Sequence, residues 1–115
     1  MARWQLIGLV QPSEGARIED YRAWYLENHI EDTVNCPGFV SAHVYESVRP
    51  FAGTTPPGWI TLYEVEASSA QEAEWVLARY QQDPKAYAKR LPPNGSLAIV
   101  GAGWYRLDRE LKPSR

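Results

Sequence analysis

A chain of 115 residues falls at the ordinary size of one domain, and its 44% hydrophobic and 23% charged content excludes a disordered chain. Its net charge of −2, with no cluster among its 12 Lys and Arg, excludes the basic footprint of a nucleic-acid binder, and a single cysteine excludes an internal disulfide. No apolar run approaches the roughly 20 residues of a membrane helix, and the N-terminus lacks a charged-then-apolar leader, so a cytoplasmic protein is expected.

Arg3 to Val10, apolar and closed by Gln11-Pro12-Ser13, predicts a first strand. Ile18, Tyr21, Tyr25 and His29 recur at helical spacing among charged residues and predict an amphipathic helix that stops before Pro37-Gly38. Phe39 to Val48 predicts a second strand, Arg49 to Gly58 a Pro/Gly-rich connection, and Trp59 to Val65 a third strand. Ser69, three residues before Glu72, has capping-box spacing for a second helix whose stripe is Ala73, Val76, Leu77 and Tyr80. Asp83-Pro84 predicts a short third helix that runs out at 91–95, and Leu97 to Leu107 a last strand. Residues 1–107 form one domain in this reading, and 108–115 a charged tail.

The order β-α-β-β-α-β is the α+β, ferredoxin-like arrangement, with two helices on one face of a four-stranded antiparallel sheet. The first and last strands are apolar at nearly every position, so the second face also needs a cover. A second copy, laying its own sheet on this one in a homodimer, is the expected cover.

Tyr21, Tyr25 and His29 at four-residue intervals, followed by Pro37-Gly38 leading into the second strand, resemble the dimeric α/β-barrel superfamily, and within it the EthD-like branch. The resemblance implies a dimeric barrel with a pocket between helices and sheet in each subunit. In this superfamily such pockets serve cofactor-free oxygenation of phenols, cyclisation, isomerisation, lyase chemistry and haem breakdown. Where cyclase-type branches carry His-Pro-x-His, this chain reads Asp83-Pro84-Lys85-Ala86.

His29 is the candidate proton carrier, because an imidazole takes and gives protons near neutral pH. Tyr25 would support it with a phenolic hydrogen bond, and Glu64, on a strand face shared with Ile60 and Leu62, would act as a second acid or base or orient His29. Tyr21, Ile7, His43, Tyr45 and Trp104 complete the expected substrate contacts. The plainer alternatives are core tyrosines, a structural histidine, and a Glu64 paired to an arginine at a strand end. Cys36, in a Pro/Gly turn, reads as structural, and His29, Asp32 and His43 are the only loose set of metal-type ligands, so neither metal nor cofactor is expected. Three functions follow as expectations. The first is a cofactor-independent acid/base enzyme of lyase, decarboxylase, cyclase or isomerase type, acting on a small aromatic or polyketide-like carbonyl or phenol. The second is a cofactor-free monooxygenase of phenols, and the third a non-catalytic small-molecule-binding dimer.

Overall fold

The computed structural model describes residues 1–85 and 95–115. Four strands, β1 (Ala2–Pro12), β2 (Phe39–Glu46), β3 (Trp59–Ala67) and β4 (Leu97–Tyr105), form one sheet in the order β2-β3-β1-β4. Every neighbouring pair is antiparallel, which is the ferredoxin-like topology. β1 runs one residue before and two beyond its expected limits and β3 two beyond, and at the end they share, Arg3 bonds Glu66 across the pair at 2.7 Å beside the register Ala2↔Ala67. The third helix expected from Asp83 falls mostly outside the described residues; within them, the Asp83 carboxylate accepts the Lys85 amide at 2.9 Å.

The sheet does not close. β2 and β4 are its two edges and do not pair with each other, so the barrel expected from the resemblance is not formed. Strand number explains the geometry: four strands are too few to curl round until β2 meets β4, since a small barrel takes about eight. What forms instead is an open two-layer α+β unit.

The first helix, α1, spans 18–34 and is not uniform. It begins as α-helix over Ile18–Tyr21, widens to a π-helix over Arg22–His29, and returns to α-helix over Ile30–Val34. The 3.6-residue reading of this segment is therefore corrected: π turns take roughly 4.4 residues each. The second helix, α2 (Ala70–Gln82), starts as expected, with the Ser69 hydroxyl accepting the Glu72 amide at 3.0 Å. The Glu72 carboxylate accepts from the Ser68 hydroxyl instead of completing the box. Tyr80 on α2 donates to the Asp32 carbonyl at 2.8 Å and ties the two helices together.

Both helices lie over one sheet face, where Trp4, Leu6, Val10, Tyr63, Val65 and Ala67 pack with Tyr21, Tyr25, Ile30 and Ala73. Cross-strand register puts Ile7, Leu9, Ile60, Leu62, His43 and Tyr45 on the opposite face, with Arg3, Gln5, Glu64 and Glu66 at its other end. This open face is thus apolar in one half and charged in the other. Among the described residues, no helix is long and apolar enough to cross a membrane.

Candidate functional site between the first helix and the sheet

A cavity of about 160 Å³ lies between the helices and the covered sheet face. Gly8 of β1 and Tyr63 of β3 form part of its floor, Tyr25, His29 and Thr33 of α1 one wall, and Leu77 and Gln81 of α2 another. Gly8 opens the space: a Cβ there would stand 4.0 Å from the Tyr25 hydroxyl oxygen. Larger hollows beside Arg79 and beside Trp75 lie on the outer surface and gather none of these groups.

The π stretch decides which rings meet in the wall. Tyr21 and Tyr25 stack at 5.6 Å between ring centroids, and Tyr25 and His29 at 5.5 Å. Trp24 stacks on His29 at 4.8 Å with only 19° between the planes. In an α-helix, residues five apart point about 140° away from each other. At roughly 4.4 residues per turn that separation falls to about 50°, which brings the indole over the imidazole. Trp24 was not foreseen as a partner of His29 because the helical period assumed for it was too short. Below the ring, the Thr33 hydroxyl donates to the His29 carbonyl at 2.8 Å.

The Tyr25 hydroxyl donates to Thr61 Oγ1 at 3.0 Å, and the Thr61 residue is fully buried beneath it. Burial pushes the Tyr25 phenol above the ordinary tyrosine range, an effect that the hydrogen bond to Thr61 only partly offsets. Tyr25 is therefore a neutral hydroxyl across the physiological range, able to donate or to accept a hydrogen bond but not to serve as a base. Replacing it by Phe is expected to cost about 1–3 kcal/mol, because the Thr61 hydroxyl loses its partner in a dry place. Thr61→Val added to Tyr25→Phe should recover most of that loss. Urea unfolding of the two single variants and the double variant measures the coupling, and additive losses would show that the pair carries no special energy.

The expected site residues divide between the two sheet faces. His29 and Tyr25 both line the cavity, and Tyr21 lies directly behind them, buried against Trp59 at 4.9 Å. Trp104 packs against the same core. Glu64 lies on the open face, where Gln5 Nε2 donates to it at 3.1 Å and the Arg3 guanidinium stands 3.6 Å away. The sheet separates it from His29, so it does not orient that ring. Ile7, His43 and Tyr45 are also on the open face, and the His43 and Tyr45 rings stack there at 6.5 Å. His29 and His43 are consequently not brought together, and no group of three or more His, Cys, Asp or Glu with metal-binding placement occurs among the described residues. Cys36 is buried, and burial pushes its thiol up to about 11, so it stays protonated and unreactive near neutral pH.

No family model matches the chain, and no curated protein matches it either. Together with the open sheet, this overturns the likeness to the dimeric α/β barrels and their EthD-like branch. The lyase, isomerase and oxygenase labels that the likeness implied lose their support with it. The class that fold and cavity define is an open-faced ferredoxin-like α+β protein with an apolar cavity walled by a π-helix.

Proposed function

We propose that the cavity between α1 and the sheet binds a small carbonyl or phenolic compound and that His29 transfers a proton on it without a cofactor. The single observation that carries the reading is that His29 and Tyr25 line the same small apolar cavity. Such a setting favours proton transfer, because apolar walls lower the local dielectric and strengthen hydrogen bonds to a developing oxyanion. His29 would take the proton from carbon or from the phenol. The neutral Tyr25 hydroxyl would turn its one proton from Thr61 Oγ1 to the oxygen on which charge appears, with the Thr61 hydroxyl donating to Tyr25 in return. Trp24, stacked on the imidazole, limits the ring orientations and so reduces the cost of reaching the reactive one.

The test is exchange of solvent deuterium into a panel of cyclic ketones and phenols, followed by NMR, with wild type and His29→Ala. Wild type should catalyse exchange of at least one compound, and the variant should lose about 10²–10⁴-fold. Equal rates in the two proteins would make His29 a structural residue. Binding without any exchange would leave a carrier in place of an enzyme. Gly8→Ala provides the control for location, since the added methyl meets Val10 Cγ1 at 3.8 Å, an ordinary contact that leaves the fold intact while filling the cavity. It should weaken binding several-fold, and unchanged affinity would move the ligand elsewhere.

We further propose that the apolar half of the open face is covered by a second copy of the chain. Ile7, Leu9, Ile60 and Leu62 form a contiguous apolar patch flanked by exposed Tyr45, and a self-complementary patch of this kind is buried most simply about a twofold axis. Sedimentation of the wild-type protein as a dimer at micromolar concentration is the expected result.

A further inference from the structure

Two appendages leave the sheet at diagonally opposite corners. The connection between β2 and β3 projects from the apolar end beside the β2 edge, and residues 106–115 leave β4 at the charged end of the other edge. Both carry large apolar side chains that stand exposed among the described residues: Val48 is 91% exposed and Phe51 84%, and Leu107 and Leu111 are 69% and 76% exposed.

The hairpin is built and not slack. Its base is closed by the Ser47 amide on the Gly58 carbonyl at 2.8 Å, and its tip by the Thr54 amide and hydroxyl, which both donate to the Phe51 carbonyl at 3.1 and 2.7 Å. Ala52 and Gly53 take positive φ values of 55° and 72° to make that tip, an arrangement that alanine adopts only at a cost. Pro50, Pro56 and Pro57 stiffen the arms. A tip held in this way presents Phe51 outward with little ordering entropy left to lose on contact.

The dimensions agree. The molecule measures 49 × 39 × 20 Å, whereas the 11 residues of β1 account for only about 37 Å of length. Its radius of gyration of 15.6 Å exceeds the value of about 13 Å expected for a compact domain of this length. The open face, four strands wide, projects to roughly 600 Å², and about half of it is the Arg3, Glu64 and Glu66 end. A stable pair needs roughly 800 Å² from each partner. Even the whole face projects to less than that, and the exposed Val48, Phe51, Leu107 and Leu111 side chains offer further area.

We infer that the hairpin tip at Phe51 and the tail at Leu107 and Leu111 clasp the second copy, an inference that rests on the face pairing proposed above. Laying apolar half on apolar half sets the twofold axis along the strands, so that β2 of one protomer lies over β4 of its partner. Each long edge of the pair then carries a hairpin from one protomer at one end and a tail from the other at the opposite end.

The dissociation constant of the dimer, measured by sedimentation across a concentration series, tests this with three variants. Val48→Ser with Phe51→Ser, and Leu107→Ser with Leu111→Ser, change only exposed side chains and leave the protomer fold alone; each pair should raise the constant at least tenfold. Leu62→Lys, in the middle of the face, should give monomers throughout. If the serine variants match wild type within twofold while Leu62→Lys dissociates the pair, the clasp is overturned and the face pairing stands. A wild-type protein that remains monomeric overturns the face pairing itself.

Discussion

Tyr21→Ala is expected to cost about 3–5 kcal/mol, a large part of the roughly 6–17 kcal/mol that holds a domain of this length together. Tyr21 is fully buried, and its ring joins two parts of the core, stacking on Tyr25 at 5.6 Å and on Trp59 at 4.9 Å. Truncation opens a cavity at the point where the π stretch of α1 meets β3, and the neighbouring rings are too rigid to fill it. Tyr21→Phe should behave in the opposite way. The Tyr21 hydroxyl is buried and has no hydrogen-bond partner among the described residues, so deleting it should leave stability unchanged or raise it by about 1 kcal/mol. Urea titration decides both: a Phe variant weaker than wild type by more than about 1 kcal/mol would mean that the hydroxyl is satisfied after all.

The same residue makes the fold sensitive to alkali. Burial raises the pKa of Tyr21, with the nearby Tyr25 adding to the shift, and burial also raises that of Tyr25. For an acid whose folded pKa lies above its unfolded value, the unfolded chain loses its proton first, at a pH of about 10. The folded state then binds more protons than the unfolded one, and stability falls as pH climbs above that value. Thermal unfolding should therefore shift to lower temperature above about pH 10, and less so in Tyr21→Phe.

Gly38→Ala is the second large effect, expected at about 2–4 kcal/mol. Gly38 has φ of +89°, and a Cβ there would stand 2.9 Å from the Glu66 carbonyl oxygen. That contact is with backbone and cannot be relieved by turning a side chain. Gly38 also accepts the Glu66 amide through its own carbonyl at 2.8 Å, so the turn that follows α1 pins the start of β2 to β3. The ladder is already irregular there, with a register shift between Phe39 and Ser41. Alanine must either strain the turn or break the bond, and both loosen the β2 edge. A loss below about 1 kcal/mol in denaturant would show that the turn can relocate without harm.

Element order, the approximate limits of the strands and the start of α2 were legible in the linear chain. These features depend on neighbours: alternation with period two, proline and glycine at turns, and a serine three residues before a glutamate. Only the apolar half of the open face was legible for the same reason, since β1 hardly alternates from Leu6 to Val10; its other half, expected apolar, is charged, because the register sets Arg3 and Gln5 of β1 beside Glu66 and Glu64 of β3. The π stretch was not legible, because widening a turn changes hydrogen-bond partners without changing the residues, and only packing of Tyr21, Tyr25 and Trp24 against the sheet and one another selects it. Nor could alternation say which face of β3 the helices cover. It grouped Glu64 correctly with Ile60 and Leu62, but whether that group meets His29 depends on the register of three other strands and on the side from which the helices approach. Barrel closure is decided in the same way: local pattern sets the strands, and pairing between distant edges, which here does not occur, sets whether a sheet closes.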